Sequence, residues 1–170
     1  IPLKISFIDF KGKNVLNESL LVLTKRTQNF IFSGFEKKPI PVMMCDFSAP
    51  VILEDQRSMD EHVIILKSDS NPFCVWESAQ KIYLNLLQSY VWGNDNSLSL
   101  EKILVSVVEK YEKNPAFLAK LLSLPTEEET TVHLLGFSKN IDPNQVYQAL
   151  EKLDRNLAQI LKNRLDTLYS

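Results

Sequence analysis

Hydrophobic and polar residues alternate with a period of two near the start of the chain. Leu3, Ile5 and Phe7 are separated by Lys4 and Ser6. This is the spacing of a strand that buries one face. The pattern predicts, in order, a strand over residues 1–10, a turn over 11–14 and further strands over 18–25 and 29–32.

An apolar stretch over residues 40–54, here called the seam, joins two kinds of pattern. The sequence before it has the character of strands and turns, and almost all of the sequence after it has the character of helix. Pro39, Pro41 and Pro50 each lack a backbone donor and so favour strand ends and crossings over a central ladder. We therefore predict a two-part α+β protein whose chain leaves a sheet at the seam and enters helices.

Beyond the seam, the apolar residues recur at the spacing of α-helices. Helix-capping motifs can also be recognised in this part of the sequence. Ser58 with Glu61 and Thr126 with Glu129 are capping boxes, and Asn or Asp followed by Pro is a favoured helix start. We predict six helices, which favours a stacked αα array over a symmetric bundle. Their predicted starts are Ser58, Asn71, Ser99, Asn114, Thr126 and Asp142, with Gly93 ending the second. The residues expected to be buried are Val63, Ile64 and Leu66 on the first helix and Val146, Leu150, Leu153, Leu157, Ile160, Leu161 and Leu168 on the last.

Composition narrows the class of protein. The 170 residues are 45% hydrophobic, enough for a real core, and 19 basic against 21 acidic residues leave no basic footprint for nucleic acid. There is no apolar run of about 18 residues and no signal sequence, so we expect no membrane partner. Cys45 and Cys74 lie in apolar surroundings without CxxC spacing. We expect buried, reduced thiols in a reducing compartment, and not a disulfide.

The residues that could carry chemistry do not form a recognisable reaction centre. His62 and His133 each stand alone, without a second histidine at helical zinc-site spacing. The acidic run at 127–129 is explained by a solvated first helical turn. Phe30, Phe32 and Phe35 are expected to be core. We therefore predict no catalytic, cofactor-binding or metal-binding residue in this chain.

Several segments resemble the bacterial aminopeptidase N family, the alanyl aminopeptidases among the gluzincin zinc peptidases. The most specific are Ser48-Ala49-Pro50-Val51 and, at the right distance, the helix with Trp76, Ala79 and Gln80. The resemblance implies that residues 1–54 are part of an immunoglobulin-like β-sandwich. It also implies that residues 55–170 begin a C-terminal helical superhelix. The other matching segments are 2–7, 38–42, 71–73, 124–129 and 141–143.

The resemblance also implies what these residues lack. In that family the zinc motif HExxH and the strand that binds the substrate amine lie upstream of the matching region, so no catalytic residue can be carried over to this chain. The resemblance, together with the missing zinc motif, implies a non-catalytic fragment of a cytoplasmic, zinc-dependent enzyme that removes N-terminal residues from peptides. The first residue, Ile1 and not Met, also hints at a fragment. Zinc would be bound elsewhere in that enzyme, and this fragment would close one side of the substrate chamber.

The sequence leaves two further expectations open, one about function and one about self-association. The alternative function is a stand-alone interaction module without enzymatic activity, whose helical array offers a groove to a partner peptide. If the sandwich lacks some of its strands, unpaired edges and apolar surface are left open, and the fragment is expected to self-associate.

Overall fold

A computed structural model describes residues 1–54, 56–93 and 99–168, with side chains described through residue 162. The chain divides into two compact units, residues 1–79 and 80–170, which we describe in turn. The domain boundary expected after residue 54 stays a prediction. The strands are β1 (Pro2–Ile8), β2 (Asn14–Val22) and β3 (Ile40–Met43), and the α-helices are α1 (Met59–Ser68), α2 (Pro72–Trp92), α3 (Leu100–Tyr111), α4 (Pro115–Leu122), α5 (Glu127–Leu135) and α6 (Pro143–Leu168).

The sheet of the first unit is antiparallel, with β1 in the centre and the order β2-β1-β3. Both faces of β1 are covered, because Ser6 and Ile8 are buried as well as Ile5 and Phe7. The expectation of a single buried face is therefore wrong for the second half of this strand. Both faces are buried because β1 is the central strand of the sheet. The core beside Ile8 consists of Ile40, Val42, Cys45, Ile65 and Cys74, with Ile64 and Phe73 against it.

The second and third predicted strands differ from the structure. β2 begins at Asn14 and ends at Val22, earlier at both ends than predicted, because Gly12 with φ 77° makes a tight turn directly before it. Residues 29–32 form no strand. Phe32 instead lays its ring against Phe7, with the ring centroids 4.7 Å apart. An extended segment that covers a sheet face has the same period of two as a paired strand, which explains the error.

The helix starts are confirmed at all six positions. Ser58 accepts a hydrogen bond from the Glu61 amide, and the Glu61 carboxylate accepts one from the Ser58 amide, which completes the capping box of α1. Asn71 accepts from the Cys74 amide at 3.3 Å, and Gly93 with φ 68° follows the end of α2. The predicted buried face of α1 is correct for Leu66 and wrong for Val63 and Ile64, which are only half-buried, whereas Ile65 is buried and was not predicted.

The predicted stripe of α6 is largely confirmed. Val146, Leu153, Leu157 and Leu161 are buried. Leu150 and Ile160 are only half-buried, and the side chain of Leu168 lies outside the described residues. Tyr83 of α2 donates a hydrogen bond to the Leu121 carbonyl at 3.0 Å. Over residues 1–54, 56–93 and 99–168 the fold is therefore a small antiparallel sheet followed by six α-helices, as the sequence predicts.

The capping box of α5 provides a test of this architecture. Thr126 Oγ1 accepts from the Glu129 amide at 3.1 Å. We expect Thr126→Ala to lower the free energy of unfolding by about 1 kcal/mol, because the helical amide loses its acceptor. Thr131→Ala on the same helix is the matched control, since its hydroxyl only donates back to the Glu127 carbonyl. Thr131→Ala should change the free energy of unfolding by no more than about 0.5 kcal/mol. Equal losses in urea unfolding would contradict the role of the cap.

Candidate functional site

The most unusual backbone in the described chain follows β3, in the middle of the seam. Met44, Asp46 and Phe47 have φ values of 66°, 56° and 51°. Residues with a β-carbon rarely occupy this left-handed region, and three of them in four positions carry a cost that surrounding contacts must offset. We call residues 44–47, which contain the 3₁₀ turn Cys45–Phe47, the seam turn.

Two side chains hold the seam turn, one from β1 and one from Asn71, the residue directly before α2. Lys4 Nζ donates to the Asp46 carboxylate at 2.7 Å and lies 3.1 Å from Glu18. Asn71 Nδ2 donates to the same Asp46 carboxylate at 2.8 Å, and the Asp46 amide donates to Asn71 Oδ1 at 3.2 Å. These hydrogen bonds, from Lys4 first and Asn71 second, hold the pKa of Asp46 below its ordinary value. The turn is thus fixed to the strand and to the helix at once.

The seam turn also brings the two cysteines together. Cys45 and Cys74 are both free and buried, as expected, and their sulfur atoms lie 3.8 Å apart. No sequence pattern predicts this contact, because 29 residues separate the pair. The Met43 carbonyl oxygen, 3.4 Å from Cys74 Sγ, is an alternative acceptor for the single thiol proton of Cys74.

The histidines and the acidic run have structural partners. Buried His62 lies with Nδ1 3.3 Å from the Ser78 hydroxyl. His133 Nε2 lies 3.0 Å from Gln88 Oε1, and burial, with a smaller effect of Lys81, lowers the pKa of this histidine. In the acidic run, Glu129 completes the capping box. The two histidines and Glu129 therefore have packing and capping roles, whereas Glu127 and Glu128 are exposed on the first turn of α5.

The predicted phenylalanine core is only partly correct. Phe32 and Phe35 contact Phe7, with ring centroids at 4.7 and 5.4 Å. Phe30 remains 36% exposed. Two of the three rings therefore cover the sheet.

A cleft of about 550 Å³ lies at the end of the β1–β2 hairpin. Its lining includes Lys11, Lys13, Lys37 and Lys38, which are all exposed to solvent, together with Asp9 and Glu36. Solvent screens such surface charges strongly, so the cleft by itself indicates no particular ligand.

The contacts described above are those of packing, capping and hydrogen bonding. Among the described residues, no group of three or more His, Cys, Asp or Glu side chains is placed to hold a metal ion. Within the same part of the chain, no helix is both long and apolar enough to cross a membrane.

The sequence of this chain matches two known protein-domain families. Residues 1–56 match a domain of unknown function, DUF3458, described as having an Ig-like fold, and residues 59–170 match its C-terminal part, described as ARM repeats. The second match alone covers more than half of the chain. The chain belongs to the DUF3458 family. The predicted fold class, an immunoglobulin-like part followed by a helical array, is thereby confirmed.

The relatives of this DUF3458 chain confirm the resemblance found in its motifs. Aminopeptidase N of Haemophilus influenzae is 31% identical, and that of Escherichia coli is 28% identical. Each alignment covers the whole of this chain and 21% of the relative. The chain therefore spans about a fifth of the length of the curated relatives that it matches.

A solved structure supports the fold. The crystal structure of Legionella pneumophila aminopeptidase A in complex with aspartic acid superposes with a TM-score of 0.80 at 23% identity. The match covers 99% of this DUF3458 chain and 20% of that chain.

The segment that carried the family resemblance, residues 76–80, has a structural role in this DUF3458 chain. The Trp76 ring contacts that of Phe73 at 5.9 Å, and Glu77 lies 4.0 Å from the nearly buried Arg57 side chain. Ala79 is 2% exposed. At the start of the second unit, Gln80 donates to the Ser123 carbonyl at 3.0 Å. The motif therefore fixes α2 to its neighbours.

The pH dependence of stability tests the network that holds the seam turn of this DUF3458 chain. Because the pKa of Asp46 is lowered in the folded state, its contribution is present above about pH 4 and is lost as pH falls through the folded pKa. We expect Asp46→Asn to lower the urea midpoint at pH 7, and this deficit to shrink towards about pH 3. Asn retains a tolerance for left-handed backbone.

The matched control for this prediction is Asp154→Asn, which removes an exposed carboxylate from α6. Its midpoint should follow that of the unchanged chain at both pH values. A deficit of Asp46→Asn that is equally large at both pH values would show that the carboxylate charge is not what matters.

Proposed function

We propose that this chain is a non-catalytic portion of a zinc aminopeptidase, a hydrolase that removes N-terminal residues from peptides. The observation that carries the proposal is the match of the whole chain to aminopeptidase N from two organisms, at 31% and 28% identity. Since the chain spans about a fifth of those proteins, we assign the chemistry to the remainder. Two free, buried cysteines support a cytoplasmic location.

We propose that the catalytic zinc ion is bound elsewhere in that enzyme. A catalytic zinc site uses three protein ligands and keeps a fourth position for water or substrate. The part of the chain that the structure describes contains no group of three potential ligands in suitable positions, which supports this assignment.

The role that we propose for the helical part is to close one side of the substrate chamber and restrict entry to short, unfolded peptides. Arrays of stacked helices form extended curved surfaces suited to such a wall. Val132 and Leu135 on α5 are 64% and 51% exposed. Large exposed apolar residues often mark a surface that another part of a protein covers.

A second candidate function is a helical interaction module without enzymatic activity. The same exposed residues on α5 favour it, because an apolar helix face can bind an amphipathic peptide. The two functions differ in one respect that can be measured, namely whether the gene that contains this chain also encodes an HExxH motif and aminopeptidase activity.

An activity assay tests the first function. We expect the purified chain to release no detectable product from an aminoacyl chromogenic substrate and to bind no stoichiometric zinc. The whole gene product should turn the substrate over in a chelator-sensitive manner, and its kcat/KM should fall by about tenfold or more as the peptide substrate is lengthened and folded.

Two outcomes would overturn this proposal. Chelator-sensitive turnover by the chain alone would show that it is catalytic. A whole gene product without aminopeptidase activity would favour the interaction module.

The association state of the isolated chain gives a separate prediction. β2 is an edge strand whose Leu20 and Val22 are 61% and 50% exposed, and such edges pair with other chains. We expect self-association in sedimentation experiments, and we expect Leu20→Lys to weaken it by about tenfold.

Val132→Lys is the matched control, since it places the same charge on the exposed face of α5. A smaller effect of that change would assign the association to the sheet edge. A single monomeric species over the whole concentration range would contradict the prediction.

A further inference from the structure

Cys45 and Cys74 are the only two cysteines in the chain, and the fold brings them into contact. Each is 1% exposed, and their sulfur atoms lie 3.8 Å apart. A disulfide requires a separation of about 2.05 Å. To form a disulfide, the two sulfur atoms would therefore have to approach each other by about 1.8 Å. Cys45 lies in the seam turn, so a shift of this turn could bring them together.

The surroundings make the two thiols unequal. The Cys74 thiol donates towards Cys45 Sγ, and the Ser6 hydroxyl lies 3.8 Å from the same sulfur. The hydrogen bond from Cys74 lowers the pKa of Cys45, and the same interaction raises the pKa of Cys74. Since the thiolate is the reactive form, Cys45 is the thiol suited to react first.

We propose that Cys45 and Cys74 form a reversible intrachain disulfide when the protein meets hydrogen peroxide. The Cys45 thiolate attacks one peroxide oxygen, the O–O bond breaks, and a sulfenic acid and hydroxide form. The Cys74 thiolate then attacks Cys45 Sγ and expels the sulfenic oxygen as hydroxide. The two thiols lose two electrons and two protons in total, and the peroxide is reduced to two molecules of water.

A small oxidant suits this site because both thiols are buried. Peroxide can reach them through a local opening of the seam turn, which hydrogen bonds from Lys4 and Asn71 hold closed. The product would join the end of the sheet to the first turn of α2 by a covalent bond. In a reducing compartment such a bond is transient, and thiols restore the reduced form.

Mass spectrometry of the purified, folded chain tests the proposal. After peroxide treatment we expect the loss of two hydrogen atoms, no free thiol in denaturant, a peptide that links Cys45 to Cys74, and full reversal by dithiothreitol. The oxidised chain should melt several degrees higher, because the bond restricts the unfolded state.

Single variants test the order of the two steps without forming the disulfide. In Cys74→Ser, the remaining Cys45 should give a sulfenic acid that dimedone traps. In Cys45→Ser, burial still raises the pKa of Cys74, so the labelling of Cys74 should be slower by about tenfold or more. Equal labelling of the two variants would overturn the assigned order.

Two results with the unchanged chain would overturn the disulfide itself. One is the persistence of both thiols in the folded protein under conditions that oxidise the unfolded chain. The other is oxidation to sulfinic acid or to linked dimers without an intrachain bond. Because this measurement uses the unchanged chain, it does not depend on the folding of either variant.

Discussion

One side chain, that of Asn71, fixes the arrangement of the first unit. Its Oδ1 accepts from the Cys74 amide at the start of α2 and from the Asp46 amide in the seam turn, at 3.3 and 3.2 Å. Its Nδ2 donates to the Asp46 carboxylate. The same residue thus caps a helix and holds a left-handed turn, so the helix start and the sheet end cannot move independently.

This shared anchor explains why the strained turn persists. Lys4 from the central strand binds the Asp46 carboxylate from the other side, and the Lys4 amide donates to Ser48 Oγ at 2.9 Å. The free energy that a left-handed non-glycine residue costs is offset by hydrogen bonds that exist only in this arrangement. Bringing the turn against α2 is also what places Cys45 beside Cys74, so the pair of thiols is a consequence of the same geometry.

Features that depend on residues close in sequence were predicted correctly, and features that depend on residues far apart in sequence were missed. Helix starts depend on contacts within four residues, and the capping boxes at Ser58 and Thr126 were therefore readable. Burial along the helices follows from periodicity. The segment at 29–32 was misassigned because periodicity cannot distinguish a paired strand from a segment packed on a sheet. The seam turn had no signal at all, because Asp46 meets Asn71 across 25 residues.

Two residues in the segments that resemble the family have structural roles in this chain. Ala79 is 2% exposed, so a larger residue would not fit there, and Asn71 is shared by a helix and a turn. A match built on such residues transfers the fold, since it reports packing, whereas an enzymatic mechanism depends on groups that touch the substrate. The surface of this chain is therefore where its function should be tested. The exposed residues on α5 are the first place to look, because nothing in the helix itself requires Val132 and Leu135 to be apolar.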